Sequence, residues 1–244
     1  MSTLATIREH GLIAVIDTPI KECVVAWGIA VSKGGIELLG IPASLENVTE
    51  VVSDLDDANL TVGLTNVTDP AQVSIAVAAG GEFLISPITD REIIETAKSR
   101  GLIVVAGATT PTEIHTALSS GADLVAVHPV GSMSGGEKYF QALLRTFRDA
   151  PLLVSGGIDV ENAPAFLELG AAGAIVDTGV FPSSNEASAT DVITMRAVAL
   201  VEVCADAMGI TKRASFSEIR ASSLPPGRTT MDLIDDDFEV VEPG

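Results

Sequence analysis

The chain alternates short, predominantly apolar runs with longer stretches in which apolar positions recur every three or four residues. The runs are Leu12–Ile16, Ile36–Ile41, Leu60–Leu64, Phe83–Ser86, Leu102–Ala106, Leu124–Val127, Leu152–Val154 and Ala174–Val176. Such runs read as strands buried on both faces, as in a parallel sheet covered by helices. The clearest amphipathic stretches between them are Lys21–Ser32, Pro70–Ala79, Asp90–Ser99, Pro111–Ser119 and Val160–Leu169. Start signals support three of these. Asp69 precedes Pro70, Thr110 precedes Pro111 with Glu113 close behind, and Asp159 precedes Val160, so each offers a side-chain oxygen to free helix N–H groups. Gly80, Gly101, Gly121 and Gly170 follow helix ends, where a left-handed residue is wanted. Eight strand–helix units predict a (β/α)8 TIM barrel. A doubly wound open sheet is the alternative. It is disfavoured because the units are short and no GxGxxG turn follows the first strand.

The pattern changes after Phe181. Ser183–Ala189 is a polar link, and Asp191–Ala207 reads as the eighth helix. Residues 1–208 are therefore assigned to the barrel and 209–244 to an acidic C-terminal extension. This extension contains Pro225-Pro226-Gly227 and Asp235-Asp236-Asp237. Its composition reads as a solvated tail. Met231, Leu233, Ile234, Phe238, Val240 and Val241, set among the acids, give a second reading: a segment that contacts a neighbouring subunit or a protein partner.

Composition narrows the function classes. A chain of 244 residues that is 47% apolar has enough material for a large core. The formal net charge of -19 repels nucleic-acid phosphates and anionic lipid, so neither is expected as a partner. It also suits a protein adapted to high salt. No apolar run is long enough to span a membrane, and the N-terminus lacks a basic region followed by an apolar run, so a cytoplasmic protein is expected. Cys23 and Cys204 stand far apart on predicted helices and read as small buried hydrophobes.

The order of several short motifs carries a resemblance. They are Ile13-Ala14-Val15-Ile16; Gly34-Gly35-Ile36; Val62-Gly63; Ala79-Gly80-Gly81-Glu82 running on to Pro87; Ala106-Gly107-Ala108-Thr109-Thr110-Pro111; Pro129 with Gly135-Gly136; and Ser155-Gly156-Gly157-Ile158. Together they resemble the 2-keto-3-deoxy-6-phosphogluconate / 4-hydroxy-2-oxoglutarate aldolase family from about His10 to Phe181. The resemblance implies a barrel, usually trimeric, with a Schiff-base lysine at the end of the sixth strand. Aligned through Pro129, that lysine position is Ala126. The implied general-base glutamate falls at Gly40, and a substrate-carboxylate arginine at Ser44. Another arginine falls at Asp17, a threonine at Asn66, and a phenylalanine at His128.

The stretch Gly121–Lys138 holds this question: a strand, a loop with His128, then a helix. A Schiff base needs a primary amine in the barrel mouth, and Ala126 has none. The mouth instead carries His128, Asp17, Asn66 and Asp177, expected to converge at the C-terminal ends of strands six, one, three and eight. A histidine flanked by carboxylates suits general-base work or a metal; the plainer reading is a hydrogen-bonded strand end. No metal site and no cofactor are assigned. Ser155, Gly156, Gly157, Thr178 and Gly179 are candidates for a phosphate or other anion, though Asp177 opposes one. Two function classes follow. One is a silent or repurposed binding and assembly subunit, a homotrimer with a small anionic metabolite as its expected ligand. The other is an aldolase-like lyase acting on an anionic 2-oxo acid, phosphorylated or not, by a route without a Schiff base.

Overall fold

The protein is seen in a computed structural model that describes residues 7, 11–55, 58, 60–183 and 186–209. The acidic extension assigned to 209–244 lies outside these residues except for Gly209, as does His10. Eight strands form one closed, all-parallel barrel: β1 (Leu12–Val15), β2 (Leu38–Pro42), β3 (Thr61–Thr65), β4 (Phe83–Ser86), β5 (Ile103–Ala108), β6 (Leu124–Val127), β7 (Leu152–Ser155) and β8 (Gly173–Val176). Each pairs with its neighbour in sequence, and β8 closes on β1 through Leu12↔Ala174, Ile13↔Ile175 and Ala14↔Val176. The intervening helices are α1 (Lys21–Lys33), α2 (Val48–Asp54), α3 (Pro70–Ala78), α4 (Arg91–Ser99), α5 (Pro111–Ser119), α6 (Gly136–Thr146), α7 (Ala163–Leu169) and α8 (Thr190–Ala207).

The period of two along each strand divides the core. Ile13, Leu38, Phe83, Val105, Leu124 and Leu153 fill the lumen, while the alternate residues face the helices. Phe83 lies across β3 at Gly63, where a Cβ would collide with the ring. Outside, α1 and α8 pack tightly: Gly34 admits Ala197, and the Thr194 hydroxyl donates to the Ala30 carbonyl at 3.0 Å. Trp27 stacks on Phe181 with centroids 5.7 Å apart, and its indole N–H donates to the Glu186 carbonyl. That contact fastens the polar link to α1. At the opposite end of the barrel, Lys98 pairs with Asp123 at 2.7 Å, and Asp123 also accepts from the N–H of Val104.

The helix starts explain themselves locally. Asp69 and Gln72, and Thr110 and Glu113, make reciprocal capping boxes beside Pro70 and Pro111. The Glu113 carboxyl accepts from the Thr110 N–H, the Thr109 N–H and the Thr110 hydroxyl, and these bonds hold its pKa below the ordinary carboxylate value.

Two element starts differ from the sequence reading by two residues or more. The expected helix Val160–Leu169 begins at Ala163 instead. The Asp159 carboxylate takes the N–H groups of Glu161 and Asn162, and Asn162 returns bonds to Asp159 N–H and the Gly157 carbonyl. These bonds close a turn before the helix can start. The second strand begins at Leu38 rather than Ile36, because Ile36 is still tied to the end of α1 through a bond to the Val31 carbonyl. No helix among the described residues is long and apolar enough to cross a membrane.

Candidate active site at the C-terminal face

Strands are short, so each side chain at the mouth sits at or just past a strand end. Asp17 follows β1 and Asn66 follows β3. Asn66 takes the left-handed conformation (φ 58°), which turns its amide aside to donate to an Asp17 carboxylate oxygen at 3.5 Å. Asparagine tolerates this backbone better than most residues. The contact bridges β1 and β3 across the end of β2, where Gly40 carries no side chain. A Cβ on Gly40 would meet Thr65 Cγ2 at 2.5 Å and Val15 Cγ2 at 3.1 Å, so those methyls occupy its place.

His128 follows β6 and is exposed. Its Nδ1 lies 3.3 Å from the Ser155 hydroxyl at the end of β7. Its carbonyl accepts the Thr109 hydroxyl, and the Tyr139 hydroxyl, reaching in from α6, donates to the Thr109 carbonyl at 2.6 Å. Sequence reasoning passed over Tyr139 and gave Thr109 no role; nothing in their spacing announces the link between β5, β6 and α6. Asp177 follows β8, and its carboxylate accepts from the Thr178 N–H at 2.6 Å and faces the Thr178 hydroxyl at 3.2 Å. The candidates therefore form three local pairs: Asp17–Asn66, His128–Ser155 and Asp177–Thr178. No hydrogen bond joins one pair to another among the described residues. Nor do three or more His, Cys, Asp or Glu side chains gather as metal ligands among those residues.

The loops after β6 and β7 are in close contact. Gly156 and Gly157 have φ of 78° and 71°. A Cβ on Gly156 would strike the His128 ring at 2.8 Å, and one on Gly157 would strike the Ser132 hydroxyl. Only glycine satisfies both the backbone and the space here. Their carbonyls are used, Gly156 by the Ser132 N–H at 3.0 Å and Gly157 by Asn162. The N–H groups of Gly156, Gly157 and Gly179 make no hydrogen bond among the described residues.

Ala126 faces the lumen and is 3% exposed. The described lysines lie elsewhere. Lys21 pairs with Glu50 and Asp54, Lys98 with Asp123; Lys33 is in the last turn of α1, and Lys138 is exposed on α6. A second residue missed from sequence is Thr65, 1% exposed, whose hydroxyl has no hydrogen-bond partner. Its inward direction is readable from Gly63, two residues before it on β3.

Comparison with known proteins follows this architecture. A family model described as KDPG and KHG aldolase matches residues 4–197. The 2-dehydro-3-deoxy-6-phosphogalactonate aldolase of Escherichia coli (strain K12) is 27% identical, over 73% of this chain and 88% of that protein. The 2-dehydro-3-deoxy-phosphogluconate aldolase of Dickeya dadantii is 28% identical, over 62% and 68% respectively. Among solved structures, a native KDPGal structure superposes with a TM-score of 0.72 at 26% identity, covering 81% of this chain and 96% of that one. The chain belongs to the KDPG and KHG aldolase family.

Proposed function

We propose that this barrel is a repurposed binding and assembly subunit of the aldolase family that does not form an imine with a keto acid. The observation that carries this reading is Ala126: it faces the lumen where the resemblance implies the Schiff-base lysine. The glycine loops support a retained anion-binding half, since the N–H groups of Gly156, Gly157 and Gly179 point to no other acceptor among the described residues. Borohydride added in the presence of pyruvate is expected to leave the mass of the protein unchanged. An adduct mapped to any lysine, Lys138 included, would return the aldolase chemistry to this chain.

A second reading is a lyase without a Schiff base, and the His128–Ser155 contact favours it. In that reading His128 is the general base, and Asp17, Asn66 and Asp177, at the ends of other strands on the same face, serve to hold the substrate.

The first reading includes a homotrimer, as the resemblance implies. The helix α3 supports an interface: its nine residues carry no charge, and Ile75 and Val77 are 41% and 38% exposed on a strongly acidic protein. Salt screens repulsion between acidic copies, with a Debye length of about 10 Å at 0.1 M, so association should strengthen as salt rises. Light scattering on the full chain and on a chain ending at Ile210 reads both assembly and the tail's part in it. A monomer at every salt concentration would sink the trimer; equal assembly of the two chains would leave the tail without an assembly role.

A further inference from the structure

Side chains in the lumen of such a barrel stack in layers of four drawn from alternate strands. The register puts Gly40, Ile85, Ala126 and Ile175, from β2, β4, β6 and β8, in one layer. Ile13, Gly63, Val105 and Leu153, from the other four strands, form the layer beneath. The two layers differ in access. Ile13, Val105 and Leu153 are 1% exposed or less, and the ring of Phe83 fills the place beside Gly63. In the layer above, Ile85 is 8%, Ile175 5% and Ala126 3% exposed, and Val15, next to Gly40, is half-buried. Solvent entering the mouth therefore ends on hydrocarbon.

This layer is also short of side chain, since two of its four positions are Gly40 and Ala126, on opposite strands. The gap at Gly40 is closed from the sides by Thr65 Cγ2 and Val15 Cγ2. Ala126 has only its own methyl, so the recess lies on the β6 side, between Ile85 and Ile175. Small residues alone do not make a site, because a packed lumen can use them. Here the slight exposure of both isoleucines shows that the lumen is not packed shut. The rim on that side is polar. His128, two residues above Ala126, faces Ser155, and the Gly156 and Gly157 N–H groups beside them make no hydrogen bond among the described residues.

We propose that the mouth binds a short aliphatic phosphate, its alkyl chain standing on Ala126 between Ile85 and Ile175 and its phosphate on the Gly156–Gly157 loop. The spacing fits. Ala126 pairs with Leu153, and Gly156 lies three residues further along that strand. At roughly 3.3 Å per residue this is about 10 Å, a span that a phosphate ester of about four carbons covers. The inference rests on the reading of the mouth as a binding site with an anion half, and it names the class of ligand. The keto and carboxylate oxygens of an oxo acid would meet no side-chain donor in the layer of Gly40, Ile85, Ala126 and Ile175, and burying them unpaired is costly. An alkyl chain has nothing to leave unpaired there.

The test is a titration of the full chain, followed through methyl and amide NMR signals, with methyl phosphate, n-butyl phosphate and glycerol 3-phosphate as separate probes at fixed ionic strength. Butyl phosphate is expected to shift the methyl signals of Ile85, Ala126 and Ile175 saturably, together with the amide signals of Gly156 and Gly157. Each buried methylene contributes a factor of about three to four, so its Kd should lie at least about tenfold below that of methyl phosphate. Glycerol 3-phosphate, similar in length but bearing hydroxyls, should gain nothing over methyl phosphate. Ala126→Leu fills the recess; it should raise the butyl phosphate Kd about tenfold and change that of methyl phosphate less than about twofold. If leucine prevents folding, Ala126→Ser puts one oxygen on the same floor and should raise the butyl phosphate Kd several-fold. Equal Kd values for butyl and methyl phosphate, tighter binding of glycerol 3-phosphate, or butyl phosphate shifts confined to Ile75 and Val77 on α3 would each overturn the proposal. Methyl phosphate bound without an alkyl gain would end the apolar half and leave the anion half of the binding reading standing; no saturable response to any of the three would end both. The borohydride outcome is independent of all three probes.

Discussion

Phe83→Ala should remove about 3–5 kcal/mol of stability, the range found when a buried phenylalanine leaves a cavity. The ring is 0% exposed and lies in the lumen, where strands on every side limit collapse. Set against a typical total of about 5–15 kcal/mol, that loss brings the fold near its threshold. Gly63 is the reciprocal of this ring. A Cβ there would collide with Phe83, so Gly63→Ala alone should also destabilise, by roughly 1–3 kcal/mol through overpacking. In the double variant the new methyl occupies space the ring has left, and the two losses should sum to less than their separate values. Urea unfolding midpoints of the three variants read this directly. A loss below about 1 kcal/mol for Phe83→Ala would mean that the lumen is loosely filled, contrary to the packing described.

Ala126→Lys should change the chemistry from nothing to something. Borohydride with pyruvate is expected to leave the wild type unmodified and to trap the variant in an adduct at residue 126. The reason is position: residue 126 faces the lumen, next to the slightly exposed Ile85 and Ile175, so an amine there is desolvated. Desolvation lowers a lysine pKa and frees the nucleophilic form. Aldol turnover is not expected to follow, because Gly40 provides no base and Thr65 Cγ2 fills its place. If the lysine prevents folding, Ala126→Cys with a small thiol reagent measures the same access. Burial pushes the Cys204 thiol up to about 12, and burial, helped by Glu22, raises that of Cys23, so neither native cysteine competes. A folded Ala126→Lys variant that traps nothing, or a folded Ala126→Cys variant whose new thiol never reacts, would remove the observation on which the proposed function stands.

The sequence carried the barrel because its strands are buried on both faces and its helices begin with chemistry that is local. Asp69, Thr110 and Glu113 cap where their spacing said they would, since a cap involves only residues three or four apart. The start of α7 was misread for the same reason in reverse. Asp159 is a good cap, but it spends its oxygen on a turn that Asn162 completes from the other side. At the mouth, strand ends were legible and pairings were not. Asp17 meets Asn66 only because Asn66 turns left-handed, and His128 leans toward Ser155 across a loop that two glycines open. Thr65 was invisible as a candidate because the absence of a partner is a property of three dimensions. The letter alone reads as an ordinary strand threonine.

The pairing of β8 with β1 sets a timetable. Synthesis from Leu12 to Gly173 takes on the order of 8–30 s at ribosomal speeds of about 5–20 residues per second. Until then β1 has a partner only in β2, and its other row of N–H and C=O groups faces water. α1 waits still longer, because the surface against which Gly34 packs arrives with Ala197. The first strand–helix unit to leave the ribosome is therefore the last to be enclosed. During that interval an apolar strand with an open edge is exposed to any similar chain nearby. The heavy acidic charge, whatever it does for the finished mouth, keeps nascent copies apart while the ring is still incomplete.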